Sequence, residues 1–329
     1  MKIVVDAMGG DYAPKNVIAG VIEAINEFDV NIVLTGIKDQ IEAELKKFKY
    51  PANRIEIVHT DEVVGMDEPA TTPIRKKRNS SISVGVRLLK EPGYDAFISA
   101  GNTGAVVAAA TFNLGMLSGV DRPAIGLVIP TLKGVSILID VGANADPKPE
   151  HLCQSGKMAK VYMNVLLGVQ KPSVGLVNIG EEEGKGTGFH KEAYHLMSEK
   201  IDTFIGNVEP NEIYKGKSDC IICDGFVGNV ILKVCEGLVE SMGILIKREI
   251  KKSPIALLGA FLMKSKLGHI KKLADYSEYG GAPLLGVNGI VMISHGRSSP
   301  KAIKNAIRAS IREVEHKILD VMAKEVSAS

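Results

Sequence analysis

Short runs of β-branched and aliphatic residues recur along this chain. Between them lie longer stretches in which apolar positions return every three or four residues. The runs at residues 3–5, 31–34, 55–58, 96–98, 124–129, 135–139, 174–177, 203–205, 219–223 and 290–293 are predicted strands. Most are apolar without interruption, as expected of strands covered on both faces. Helices are predicted over residues 14–28, 40–48, 102–115, 150–167 and 230–251. A last helix runs from Pro300 to about Val326, with Ser299 as N-cap and Pro300 at its first position. Its stripe of Ile303, Ala306, Ile307, Ile311, Val314, Ile318 and Val321 suits packing against the body or a second subunit. Alternating strands and helices define the class as α/β, with a doubly wound, mainly parallel sheet. No repeat or linker divides the chain, so one α/β unit is expected over residues 1–329, with an apolar and basic excursion near 247–275.

In such sheets ligands bind beyond the carboxyl ends of strands. The loops beginning at Asp6, Asn102, Asp140, Asn178 and Asp224 all fall there. Three share one design: Ser99-Ala100-Gly101-Asn102-Thr103-Gly104, Asp140-Val141-Gly142-Ala143-Asn144 and Asp224-Gly225-Phe226-Val227-Gly228-Asn229. Glycine lets the backbone approach a ligand, and the free N–H groups of a first helical turn favour negative charge. Together they suggest one phosphate or carboxylate site assembled from several strand ends. Asn102, Asn144 and Asn229 are also good helix caps, which is compatible with ligand binding. Asp140 and Asp224 are read as capping or orienting neighbouring Asn and Lys side chains, because bare carboxylates repel phosphate.

Composition narrows the classes. A net charge of +2 gives no global reason to expect nucleic acid. Four cysteines are too sparse for a disulfide framework, and Cys220 and Cys223, three apart on a strand, point to opposite faces. They read as buried reduced thiols, with no metal site. The chain starts directly on a strand and has no apolar run long enough to span a bilayer, which suggests a cytoplasmic address. Gly180 to Thr187 falls one residue short of a nucleotide-binding P-loop, and Glu181, Glu182 and Glu183 oppose a triphosphate. No G-x-G-x-x-G fingerprint occurs, and no cofactor is expected.

Two surfaces suggest partners. Arg75, Lys76, Lys77 and Arg78 form the densest basic run. A helix opened by Thr72 and Pro73 would set these cations on the positive end of a dipole, an arrangement an acidic partner explains; a solvated loop with a helix starting at Ser80 is the alternative. Leu257, Leu258, Phe261 and Leu262 form an apolar helical stripe, preceded by Lys247, Arg248, Lys251 and Lys252 and followed by Lys264, Lys266, Lys271 and Lys272. An apolar tip ringed by cations describes a reversible anchor on an anionic membrane surface. The alternatives are a dimer contact or a lid.

These loops also carry a family resemblance. Asp6-Ala7-Met8-Gly9-Gly10-Asp11, the three loops above, Asn178-Ile179-Gly180-Glu181-Glu182, Tyr279-Gly280-Gly281-Ala282-Pro283-Leu284-Leu285-Gly286 and His295-Gly296-Arg297-Ser298 occur in this order. Together they resemble the bacterial acyl-acyl carrier protein:phosphate acyltransferases, the PlsX family. Glu209-Pro210 and Thr187 depart from that family's usual residues. The resemblance implies an isocitrate/isopropylmalate dehydrogenase-like fold and a homodimer. It also implies a reaction in which inorganic phosphate attacks the thioester of a long-chain acyl-acyl carrier protein, giving acyl phosphate for phospholipid synthesis.

The chemistry fits. Phosphate is largely ionised at neutral pH, so neither a protein nucleophile nor a strong base is needed, and no G-x-S-x-G elbow occurs. For phosphate, Asn102, Thr103, Gly104, Gly225, Phe226, Gly228 and Asn229 are the candidates, supported by Gly9 and Gly10, with Asp140, Asn144 and Asp224 around them. Lys185 and His190 are the candidates for cation and donor to the developing oxyanion, with Asn229 beside them. The competing readings are a phosphate acetyltransferase using acyl-CoA, a metal- and NAD-dependent decarboxylating dehydrogenase, and a non-catalytic membrane-surface scaffold.

Overall fold

The computed structural model of the chain describes residues 1–266 and 280–327. Lys271, Lys272 and Tyr279 lie outside the described residues. The strands are β1 (Lys2–Asp6), β2 (Asn31–Gly36), β3 (Ile55–His59), β4 (Ala96–Ser99), β5 (Ala124–Thr131), β6 (Gly134–Ile139), β7 (Val174–Val177), β8 (Phe204–Val208), β9 (Cys220–Ile222), β10 (Ala282–Leu285) and β11 (Ile290–Ile293). They join in one sheet of order β3-β2-β1-β4-β11-β10-β5-β6-β9-β7-β8.

Helices cover both faces. On one face, α1 (Lys15–Glu27), α6 (Pro149–Leu167), α7 (Gly188–Lys200), α10 (Pro300–Glu315) and α11 (Ile318–Ser327) bury Ile3, Val5, Ile98, Ile139 and Leu176. On the other, α4 (Ser81–Leu88) and α5 (Thr103–Leu114) cover Val4, Phe97, Leu138 and Val291. Adjacent strand residues therefore belong to different cores, which is why the strands read as unbroken apolar runs. Cys220 lies in the first core and Cys223 in the second, both buried, so the pair does point to opposite faces.

The sheet is mainly parallel, with one interruption that matters. Strands β3, β2, β1, β4 and β11 run together, as do β6, β9, β7 and β8. Between these blocks β11–β10, β10–β5 and β5–β6 are antiparallel. Three reversals leave the two blocks in opposite senses, so their carboxyl ends lie at opposite edges of the sheet. The loops expected on one ledge therefore divide into two groups. The β5–β6 hairpin was within reach of the sequence, since so short a connection cannot make the crossover that parallel strands need.

Other departures are local. The helix expected from Val230 opens at Gly225 as α8 (Gly225–Lys251), because the Asp224 carboxylate accepts the Val227 N–H at 2.8 Å and caps it. The last helix breaks at Lys317, whose φ of 51° ends α10 before α11 begins. Both pieces pack on the body through Ile303, Ala306, Ile307, Ile318 and Met322. Helix α7 went unforeseen because it buries little beyond Ala193 and Met197. Strand β10 was hidden by Pro283.

The excursion is a pair of helices with little beneath them. Of the residues in α8, Gly225 and Gly228 are buried, while Val234, Leu238 and Val239 are each at least 60% exposed. No residue of α9 (Pro254–Leu262) is buried.

Candidate active site

The first loop group lies at the carboxyl ends of β1, β4 and β11. Its floor is Asp6, which closes β1 and is fully buried. The Asp6 carboxylate accepts the Met8 N–H at 3.0 Å and the Ser99 hydroxyl at 2.8 Å. Ser99 in turn accepts the Gly101 N–H at 3.0 Å. Burial pushes the Asp6 carboxyl above its usual range, against the pull of these bonds. Gly9 is required here: a Cβ on it would meet Asp6 Oδ2 at 2.5 Å and the Gly101 nitrogen at 2.7 Å. Gly10 has a φ of 104° and turns the loop so that the Asp11 N–H reaches the Gly296 carbonyl at 2.8 Å.

Above this floor stands the first turn of α5. Asn102 caps it, its side-chain oxygen accepting the Ala105 N–H at 3.0 Å. Its amide donates to the carbonyls of Gly65, Met66 and Glu68 at 3.3, 2.9 and 2.8 Å, so Asn102 is committed within the protein. The backbone N–H groups of Thr103 and Gly104 have no acceptor among the described residues, and Thr103 is exposed. Two open amides on a helix axis form a ready anion seat.

The second group lies at the carboxyl ends of β6, β9, β7 and β8. The Asp140 carboxylate accepts the N–H groups of Ile125, Gly142, Ala143 and Asn144 at 3.1, 3.0, 2.9 and 2.7 Å, and the Asn144 amide at 3.2 Å. This loop already holds an anion, its own. Asp140 therefore orients Asn144, whose carbonyl accepts the Gly225 N–H at 2.7 Å. With Val227 bonded to Asp224, the Phe226 N–H is what the opening of α8 has left to offer. The backbones are in close contact: a Cβ on Gly228 would lie 1.9 Å from the Asp140 carbonyl, and one on Gly225 2.6 Å from that of Asn144. Glycine serves helix–loop packing at these two positions. Asn229 is not a cap; it is exposed in the helix's second turn, and Phe226 is 64% exposed.

Beside them, Asn178 and Asn207 shape the loop before α7. Asn178 donates to the Lys185 carbonyl at 3.1 Å and to Asn207 Oδ1 at 3.2 Å, and Asn207 donates to the Glu182 carbonyl at 2.8 Å. Lys185 is half exposed, its ammonium 3.8 Å from Glu182. His190 Nδ1 lies 2.9 Å from the Thr187 hydroxyl at the opening of α7. The structure thus joins Gly9, Gly10, Asn102, Thr103 and Gly104 in one group. Asp140, Asn144, Asp224, Gly225, Phe226, Gly228 and Asn229 belong to the other, next to Lys185 and His190. Sequence reasoning used Asp6 and Ser99 as loop positions without giving them a role in the site, and passed over Asn207; for Asp6 and Ser99 the signal was a polar residue closing an apolar strand run.

The basic run satisfies both expectations in part. A short helix, α3 (Thr72–Arg75), does follow Pro69, and Ser80 caps α4, its oxygen accepting the Ser83 N–H at 3.4 Å. The cations come at the end of α3, where the dipole favours them, which overturns the unfavourable placement expected from Thr72 and Pro73. Arg75, Lys76 and Arg78 are exposed, while Lys77 is bound to Glu68 and to the Val63 carbonyl. Among the described residues no cluster of side chains suits a metal ion, and no helix is long and apolar enough to cross a membrane.

Comparison with solved structures defines the architecture. A phosphotransacetylase from Streptococcus pyogenes superposes with a TM-score of 0.62 at 15% identity, covering 96% of this chain and 94% of that one. 4-Hydroxythreonine-4-phosphate dehydrogenase from Klebsiella pneumoniae gives 0.55 at 12% identity, covering 95% of this chain and 99% of that one. At such identities the likeness concerns the fold alone, and that fold is isocitrate/isopropylmalate dehydrogenase-like. The family is fixed by closer relatives. A family model described as "Fatty acid synthesis protein" matches residues 1–320. The phosphate acyltransferase of Alkaliphilus oremlandii is 48% identical over 328 residues, 100% of this chain and 98% of its own length. That of Dictyoglomus thermophilum is 47% identical over 330 residues, 98% of each. The chain belongs to the phosphate acyltransferase (PlsX) family, whose members move an acyl group to phosphate.

Proposed function

We propose that the acyl donor is a long-chain acyl-acyl carrier protein, that inorganic phosphate attacks its thioester directly, and that the acyl phosphate feeds phospholipid synthesis. The phosphate oxygen forms the new bond to the carbonyl carbon, the C–S bond breaks, and the thiolate leaves and takes up a proton. The observation that carries this reading is the open first turn of α5, where the Thr103 and Gly104 amides have no acceptor among the described residues, beside the Asp6–Ser99 floor. Holding phosphate against the carbonyl removes roughly 7–11 kcal/mol of barrier through orientation alone. Direct attack is supported by the cysteines: burial pushes the Cys153, Cys220 and Cys223 thiols up, away from nucleophilic thiolate.

Lys185 and His190 stand with the second loop group, at the opposite edge of the sheet from α5, so they are assigned to the developing oxyanion at a site completed by a second copy of the chain, where one donor is worth about 2.7–4 kcal/mol. Arg75, Lys76 and Arg78 form the docking surface for the acidic carrier protein. The α9 tip, with Phe261 72% and Leu262 73% exposed, rests on the anionic membrane surface of the cytoplasm. The exposed α8 stripe of Val230, Val234 and Leu238 meets a second copy in a homodimer.

The test is to mix palmitoyl-acyl carrier protein with labelled inorganic phosphate and follow acyl phosphate, with acetyl-CoA in parallel. Formation from the carrier thioester is expected. Preference for acetyl-CoA would move the protein to the phosphotransacetylase reading, and an acyl group trapped on the enzyme would rule out direct attack.

A further inference from the structure

Residues 62–80 leave the sheet after β3, cross the opening of α5 and return to start α4. This segment is closed at its base. The Ser81 N–H reaches the Glu62 carbonyl at 3.2 Å, and the Asn79 N–H reaches the Glu62 carboxylate at 2.9 Å. It is braced inside by Lys77, which holds Glu68 and the Val63 carbonyl, and by the Gly65 N–H, which donates to Glu68 at 3.0 Å. Two features then seat it on α5. One is the Asn102 amide, which serves the three carbonyls of Gly65, Met66 and Glu68 with two hydrogens. The other is a close approach: a Cβ on Gly104 would lie 2.9 Å from the Ala70 methyl carbon.

We propose that Asn102 and Gly104 are positioning residues, which seat this strap over the open amides of α5 and so shape the place where phosphate binds. Asn102 does this with its donors, since its oxygen is spent on the cap. Gly104 does it by lacking a side chain, because the φ values in the left-handed region belong to other glycines and this one is in ordinary helix. The strap carries Arg75, Lys76 and Arg78 on its outer surface, so the basic surface and the phosphate seat share one braced element. This rests on the phosphate-transfer reading for its purpose, though not for its geometry.

The contact can be exchanged across the interface. Gly104→Ala alone places a methyl against Ala70; with Ala70→Gly as well, the nearest atoms become Asn102 Oδ1 at 3.5 Å and the residue 70 Cα at 3.7 Å, ordinary contact. Asn102→Ser keeps a neutral cap and loses the side-chain amide that reaches the strap carbonyls. Hydrogen exchange over residues 62–80 is expected to quicken several-fold in Gly104→Ala and in Asn102→Ser, and to return to the wild-type rate in the Gly104→Ala/Ala70→Gly pair. The KM for inorganic phosphate is expected to follow the same order, rising about tenfold in the single variants and recovering in the pair, with kcat changing less. Unchanged exchange in Asn102→Ser, or a raised KM that the pair fails to restore, would overturn the proposal. If the wild-type protein transfers no acyl group to phosphate, the exchange measurements still decide whether the strap is seated as described.

Discussion

Glu313 is a carboxyl in the wrong solvent, and its burial makes a prediction about pH. It lies in α10 against α6, is 3% exposed, and has the Tyr162 hydroxyl at 3.2 Å as its hydrogen-bond partner. Burial pushes its pKa up to about 8 from the ordinary 4.5, opposed weakly by that bond. Because the folded pKa is the higher one, the folded protein holds this proton over a range where the unfolded chain has lost it. Stability therefore falls as pH rises from about 4.5 to about 8 and levels off beyond. At about 1.4 kcal/mol per unit, the ceiling of that loss is about 5 kcal/mol. Glu313→Gln keeps the shape and an acceptor for Tyr162 and removes the titration. Urea unfolding of both proteins from pH 5 to 9 gives the test. The variant is expected to gain on the wild type steadily between pH 5 and 8 and to be the more stable protein at pH 9. Two stability curves that stay parallel across this range would refute the reasoning.

Gly228→Ala should cost about 3 kcal/mol or more, since its methyl would stand 1.9 Å from the Asp140 carbonyl and must drive the loop from the helix; an unchanged melting temperature would contradict this. Lys185→Ala should lower turnover at least tenfold with the fold intact by circular dichroism, while full turnover would leave the chemistry to the α5 group. Leu258→Glu combined with Phe261→Glu should release the protein from anionic vesicles in flotation and spare activity on soluble substrate; continued flotation would remove α9 from the membrane surface.

The elements of this protein were largely legible in its sequence. A strand covered on both faces must be apolar at every position, and most of the ten predicted runs, each of which lies where a strand stands, come close to that pattern. Caps were legible too when the capping residue sits next to its helix, as Asn102 and Ser299 do. The polar strand ends, Asp6 and Ser99, carried a weaker signal, because a single polar residue after an apolar run looks like the start of any loop.

What the tertiary structure decided is which loops share an edge and which glycines serve a ligand. Local pattern gives strand positions but not strand sense across a long sheet, and the three antiparallel pairings at β10 and β5 separate the α5 group from the Asp140 and Asp224 group. Chemically similar loops also proved different once packed. The amides of residues 142–144 turn inward to the Asp140 carboxylate, whereas those of Thr103 and Gly104 stay open. A glycine-rich helix opening records that backbone comes close to something; whether the neighbour is an anion or another stretch of chain is settled by contacts between residues far apart in sequence.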